Sequence, residues 1–438
     1  MAHCNYSSLR INYYGIDGVE RNPHLSFQLH VAHVPHVAQP HRRLRQTILA
    51  ASLILTAFNV SAQTVAAETD DKVEVYVAGR MTTENNVFRV ANNPERDTHV
   101  TTTVGLNVDK TVSRQRFLAG ASLDLVRYDR FADLNHLGRN ARALWLWELG
   151  NQWSGQLGYA ERKSLASFSN IPGRSNNSLK IQRVHGEAAY LLTPSWQLQA
   201  GIAEQLQINS EQIRQENDVD LRTLTLAVNY ISPASNKVGI GFTQDDGRLL
   251  HRQIVGALSH DNSYTQRAID VHADWAFGGK SRLKARLAQV QRDYDELSYR
   301  DYDGTTFNLR YDWQPTGKLA LVLVAQRDIT PDDDIQTSFV LIKGVAFRPS
   351  YALSEKLRLL ATADFSTRDF LGDHGLAPGT MTGRSDRVRL LSAAVSYQPM
   401  PSLTLQLSGQ RESRSSNYRL ADYSYKADVL NLSARFTF

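Results

Sequence analysis

The chain has 438 residues, 42% hydrophobic, 9% aromatic and 21% charged. Its longest apolar run, Ile48 to Phe58, is shorter than the roughly 20 residues a helix needs to cross a bilayer, which excludes a helical membrane protein. Of the formal net charge of +5, residues 1–62 carry +3 through five arginines, no lysine and two acids, so the remainder has no chain-wide nucleic-acid footprint. The single cysteine, Cys4, leaves no disulfide, thiolate metal site or cysteine nucleophile for the rest.

Residues 1–40 show no clear periodicity and read as a mis-assigned or disordered N-terminal extension. Translation is expected to start downstream, at a valine codon such as that of Val34 or Val37. His24, His30, His33, His36 and His41 cluster there, but few acids accompany them, so no metal site is read. Residues 41–62 read as a signal peptide. Arg42, Arg43 and Arg45 precede the apolar stretch Thr47 to Phe58, and Val60-Ser61-Ala62 offers a small-residue cleavage site. A second such site is Val65-Ala66-Ala67. Residues 63–71 follow as a short periplasmic segment, and residues 72–438 form the body.

From Lys72 onward the dominant period is two. Phe307, Leu309, Tyr311 and Trp313 alternate with Asn308, Arg310, Asp312 and Gln314; Leu430, Leu432, Ala434, Phe436 and Phe438 alternate with polar residues. Such alternation gives each strand one apolar and one polar face. Eighteen predicted strands follow in chain order. The first nine are 72–89, 98–109, 114–129, 139–150, 153–164, 179–192, 195–208, 219–231 and 237–245. The second nine are 265–277, 281–293, 303–314, 317–328, 336–349, 356–369, 386–398, 402–413 and 425–438. Most are longer than the usual strand of a soluble sheet. Short turns rich in Gly, Pro, Ser and Asn alternate with longer polar stretches such as Leu165–Asn177, Asp246–Tyr264, Leu371–Ser385 and Arg414–Tyr423. Trp145, Trp153, Trp196, Tyr230, Trp275, Trp313 and Tyr397 fall mostly beside the short turns, as an interfacial aromatic girdle would. These features predict an all-β fold: a transmembrane antiparallel β-barrel of the bacterial outer membrane with about 18 strands. An even count lets the last strand close on the first. A soluble propeller or β-helix is the alternative, but no shared repeat of that length appears.

With the apolar faces on lipid, the other faces line a lumen. Parity places Arg142, Arg183, Arg282, Lys284, Arg286, Arg310, Arg358 and Arg389 inside, as candidates for contact with a polymer. Arg282-Lys284-Arg286 is the densest cationic ladder, on one strand, and three like charges on one face are expected to escape full local neutralisation. Pairing across strands is the plain alternative for any one of them. Asp246–Tyr264 is the candidate plug, or else a simple surface loop. No G-x-S-x-G, H-E-x-x-H or phosphate loop occurs, and the remaining histidines are scattered. His185 with Glu187, and His272 between Asp270 and Asp274, read as hydrogen-bonded lumen pairs. No enzyme activity, cofactor or metal is expected.

Several stretches, in order, carry a resemblance. They are Glu84-Asn85-Asn86-Val87-Phe88-Arg89, Ser113-Arg114-Gln115-Arg116-Phe117, Trp313-Gln314-Pro315-Thr316-Gly317-Lys318-Leu319, Arg411-Glu412-Ser413-Arg414-Ser415-Ser416-Asn417 and the closing Leu432-Ser433-Ala434-Arg435-Phe436-Thr437-Phe438. Together they resemble the exosortase-associated (PEP-CTERM/XrtB-type) extracellular polysaccharide biosynthesis outer-membrane proteins, EpsL-like, over roughly Lys72 to Phe438. The resemblance implies an outer-membrane barrel with a role in exopolysaccharide export, and it supplies no catalytic residues. The expected partners are an extracellular polysaccharide, outer-membrane lipid and periplasmic and inner-membrane polysaccharide export proteins, with no nucleic acid. The combined reading is a passive exopolysaccharide conduit lined by Arg and Lys. The alternatives are a general or small-solute porin, which a loop folded into the pore and an acid-and-base-lined constriction would favour, and a non-conducting scaffold.

Overall fold

The computed structural model describes residues 72–438 apart from 170–172, 256–257, 331–338, 372–382 and 419–421. The expected extension, signal peptide and periplasmic segment lie outside the described residues. The strands are β1 Lys72–Glu84, β2 Asp97–Val112, β3 Gln115–Tyr128, β4 His136–Leu149 and β5 Trp153–Leu165. Next come β6 Ser178–Thr193, β7 Trp196–Asn209, β8 Val219–Ile231, β9 Lys237–Leu249, β10 Gln253–Val255 and β11 Leu258–His260. The rest are β12 Tyr264–Phe277, β13 Ser281–Tyr294, β14 Tyr302–Trp313, β15 Leu319–Thr330 and β16 Phe339–Ala352. They end with β17 Leu357–Leu371, β18 Ser385–Met400, β19 Leu403–Ser416 and β20 Tyr425–Thr437.

β10 and β11 form a small hairpin of their own; the other strands make one 18-stranded antiparallel sheet. Each pairs with its chain neighbours, and β1 pairs with β20 from Tyr76↔Thr437 to Glu84↔Val429, which closes the barrel. Closure satisfies every ladder without an edge, the condition for strands to span hydrocarbon. No helix among the described residues is long and apolar enough to cross a membrane.

The period-2 pattern decides which face meets lipid. Val104, Leu123, Val184, Ile202, Ile240, Leu287, Leu323 and Leu407 stand exposed on the outside, while their sequence neighbours turn inward. Around the short-turn end the outside carries rings: Phe117 stacks on Trp145 with centroids 5.9 Å apart, Trp153 meets Tyr190 at 4.7 Å and Trp196 meets Tyr230 at 5.5 Å. Gly150 and Gly278 take positive φ values of 60° and 65° in two of these short turns, which a side chain would strain. The short turns mark the periplasmic side and the long connections the outside of the cell.

Each predicted strand is present. The differences lie at the ends. β1 stops at Glu84, because residues 85–96 leave the wall and fold inward. β9 runs on to Leu249, which shortens the connection to β12, and that connection carries the unforeseen β10–β11 hairpin.

Candidate functional site

The inner wall across β12, β13 and β14 is a ladder of charges set by register. Asp274 stands opposite Lys284, His272 opposite Arg286, Lys284 opposite Arg310 and Arg282 opposite Asp312. Arg282 donates to both oxygens of Asp274, its Nη2 at 2.7 Å from Oδ2. Arg286 Nε donates to Asp270 Oδ1 at 3.1 Å. Arg310 grips Asp312 through two bonds of 2.9 and 2.7 Å. His272 Nδ1 donates to the other oxygen of Asp270 at 2.8 Å, and its Nε2 lies 2.7 Å from Asn229 Oδ1. Gly239 and Gly241 on β9 make room for this layer. A Cβ at Gly239 would come within 2.6 Å of His272 Nε2, and one at Gly241 within 2.9 Å of Asp270 Oδ1.

Neutralisation of the ladder is therefore partial. Arg282 and Arg286 are each answered by a β12 carboxylate, and Lys284 sits in register between Asp274 and Arg310. In this ladder Arg282, Lys284, Arg286 and Arg310 face Asp270, Asp274 and Asp312, four cations to three carboxylates. The alternation of basic residues on β13 hid the matching acids on β12, because sequence alone does not fix which pairs face each other.

The wall across β20, β1, β2, β3 and β4 is different. It borders a cavity of about 740 Å³ lined by Arg80, Arg142 and Arg435 among others. Arg435 lies over the Tyr76 ring, its Cζ 3.8 Å from the centroid, and Tyr76 in turn covers Gly105. Arg142 crosses Gly120 and makes no hydrogen bond or ion pair among the described residues. The carboxylate nearby, Asp124, accepts from Thr103 and, at 3.1 Å, from Asn140.

The remaining candidates are dispersed. Arg183 faces inward on β6, opposite Ala160. Arg358 faces inward near the periplasmic end of β17, opposite Ser396. Arg389 is a correction: it alternates with Val388, which is 6% exposed, and shares the outward face with Leu391, Val395 and Tyr397. The adjacent leucines Leu390-Leu391 break the alternation and obscure the parity of this strand.

The outer mouth holds what the sequence reading missed. Residues 85–96 fold over the inner wall, and Val87, Phe88, Phe131, Leu134 and Phe168 pack into one buried cluster. Phe88 meets Phe131 at 4.8 Å and Phe168 at 5.3 Å. Beneath it lies a buried ionic network. Arg89 donates to Glu84 at 2.8 Å, Tyr425 donates to Glu412 at 2.7 Å, and Arg414 Nε donates to Asp386 at 2.7 Å. Burial opposes the charge of Arg89, but Glu84 and Glu412 outweigh it and raise its pKa further above the ordinary arginine value. Arg414, on β19, also donates to the Ser169 carbonyl, which belongs to the connection between β5 and β6. That contact spans several intervening strands, so this connection reaches across the mouth.

A second segment enters from the other side. β14 pairs with β15 only between Phe307↔Arg327 and Trp313↔Leu321, whereas β15 and β16 stay paired up to Thr330↔Val340. The freed ends of β15 and β16 turn inward. Ile329, Phe339 and Leu341 pack against Tyr264, Ala268, Val290 and Tyr294 of the inner wall, and Arg292 lies over both Tyr264 and Phe339. The stretch read as either a plug or a surface loop makes its described contacts with its neighbour. Within Asp246–Tyr264, Arg252 grips Glu296 at 2.7 Å, Asp261 N–H donates to Glu296 at 2.8 Å and Asn262 accepts from Arg300. These contacts tie it to the neighbouring connection on the rim. The signal for the true mouth elements was an apolar run without alternation, Phe339-Val340-Leu341-Ile342, and aromatic residues inside long connections.

A family model described as "Putative beta-barrel porin 2" matches residues 251–438. No curated protein matches the chain. Among solved structures, Pseudomonas aeruginosa OccK2 (OpdF) is 11% identical, with 84% of this chain and 98% of that chain covered and a TM-score of 0.47. The same protein in complex with glucuronate gives 13% identity, the same coverage and 0.46. A BenF-like porin from Pseudomonas fluorescens Pf-5 gives 12% identity, 84% and 99% coverage and 0.45. The closed ladder and its apolar outer belt place the chain. It is an 18-stranded β-barrel of the bacterial outer membrane.

Proposed function

We propose that the barrel is a passive conduit through which an exopolysaccharide leaves the periplasm. The observation that carries this reading is the inner wall itself. It offers many hydrogen-bonding groups, among them Gln197, Gln199, Asn229 and Gln266, together with charges that are largely answered by one another. Such a wall makes many weak contacts with hydroxyls and holds none of them long, as conduction requires. The sequence resemblance supplies the polymer as cargo. Energy would come from polymerisation or from periplasmic and inner-membrane partners.

The inward segments at the mouth favour a second reading, a porin for small hydrophilic solutes. Deleting the gene and measuring polysaccharide at the cell surface and in the periplasm separates the two. Surface polymer lost with periplasmic accumulation supports export. Unchanged surface polymer, with single-channel conductance to small solutes, supports the porin. Unchanged polymer and no conductance leaves the scaffold.

A further inference from the structure

Above the apolar belt, the outer face carries its charge unevenly. On one side Arg222 lies against Glu204 and Asp220, and Arg267 against Asp293. Across β16–β20 the balance reverses. Lys343, Arg387, Arg389, Arg411 and Lys426 all stand outward, with Asp369 and Asp428 as the carboxylates among them. Asp369 accepts from Lys343 at 2.8 Å, and Asp428 accepts from Arg411 at 2.8 Å. Arg387, Arg389 and Lys426 make no hydrogen bond or ion pair among the described residues.

Register brings these three together at a defined height. Arg389 stands opposite Phe365 on one side and Ser413 on the other, and Ser413 stands opposite Lys426. Phe365 and Leu391 are exposed apolar side chains, so Arg389 sits at the upper edge of the lipid-facing belt. Arg387 stands one outward position nearer the long connections, roughly 7 Å away along the strand. Like charges this close on one face repel. A guanidinium at the lipid boundary is unfavourable unless it meets the headgroups. Both difficulties vanish if an anion with several acceptor oxygens occupies the space between them. The long connections face the outside of the cell, so the adjoining leaflet is the outer one, whose bulk lipid is a phosphorylated glycolipid.

We propose that the outward face of β18–β20 binds the phosphorylated headgroup of an outer-leaflet glycolipid through Arg387, Arg389 and Lys426. A headgroup bearing two phosphates answers the arginine pair and the lysine together, whereas a single phosphodiester answers one of them. The site is independent of what the lumen carries.

Native mass spectrometry of the full chain in detergent, titrated with bisphosphorylated lipid A, dephosphorylated lipid A and phosphatidylglycerol, tests this. Bisphosphorylated lipid A should bind most tightly. The triple variant Arg387→Gln/Arg389→Gln/Lys426→Gln should bind it about tenfold more weakly. The double variant Arg222→Gln/Arg267→Gln, on the acid-rich side, should bind like the parent. Heat-modifiable gel mobility reports whether each barrel is folded, and Arg389→Gln alone, with a smaller loss, replaces the triple variant if that one fails to fold. Parental lipid A occupancy in the charge variants overturns the site. Equal binding of phosphate-free lipid A overturns the role of phosphate, and equal binding of phosphatidylglycerol overturns the glycolipid assignment.

Discussion

Two stretches of the inner wall hold their arginines in different ways. Across β12–β14, Arg282, Arg286 and Arg310 each end on a carboxylate, because register places Asp270, Asp274 and Asp312 within reach. On β4, Arg142 stands between Gly120 and Ala160, neither of which can answer a charge. The first arrangement fixes side chains in place and confines its field to the wall. The second leaves a guanidinium exposed to whatever passes. The electrostatics of a lumen therefore follow from cross-strand neighbours more than from the number of arginines, and mutation can separate the two kinds of wall.

The largest effect is expected at the mouth above β12–β14. Phe339 is 2% exposed and joins the outer end of β16 to Tyr294 and Tyr302. Phe339→Ala should cost about 3 kcal/mol, read as a lower urea midpoint in lipid vesicles, and should raise single-channel conductance as this end loosens. Unaltered conductance in a destabilised barrel would mean that this end does not narrow the path. Next comes Asp274→Asn. It leaves Arg282 without its anionic partner and should cost about 2 kcal/mol while moving the reversal potential toward anion selectivity in a planar bilayer. The converse, Arg282→Gln/Lys284→Gln/Arg286→Gln, leaves Asp270 and Asp274 in place and should move selectivity toward cations. If neither variant shifts it, this wall does not govern selectivity.

On the open wall the pattern should invert, with little stability at stake and a clear electrical effect. Arg142→Gln removes a side chain with no partner among the described residues, so stability should change by less than about 0.5 kcal/mol. The reversal potential should still move away from anions, since no carboxylate pairs with the lost charge among the described residues. A large loss of stability would show that Arg142 is held in the wall after all.

The contrast also separates what the sequence carries from what it does not. The strands were legible throughout because alternation such as Phe307–Trp313 is a local property, imposed on each strand by lipid on one side and water on the other. Ion pairing was not legible, since Arg282 and Asp274 become partners only when two strands choose a register. Arg389 was assigned to the wrong face because Leu390 and Leu391 follow it without alternation, and its environment is the lipid boundary. The mouth was missed for a related reason. Phe168 lies where a long polar connection was expected, while Phe88 and Phe339 fall at the outer ends of predicted strands, and an apolar residue there reveals burial without naming the partner.

The smallest effect concerns the connection whose sequence left open a plug or a surface loop. Glu296 is held below the ordinary carboxylate range, first by the Asp261 backbone N–H and then by Arg252. A depressed carboxyl stabilises its contacts above its unfolded value of about 4.3 and loses them as pH falls through the lower, folded value. The tie between residues 250–263 and the neighbouring connection should thus be intact at neutral pH and release only in acid. Arg252→Gln should raise the titration midpoint of Glu296, followed by carboxyl carbon chemical shifts, without reaching the ordinary value, because the Asp261 N–H remains. The barrel ladders pair independently of this contact, so the variant should keep its heat-modifiable mobility and its conductance. A changed conductance would instead restore this connection to a place in the pore, and the mouth would then be set by three segments of the chain.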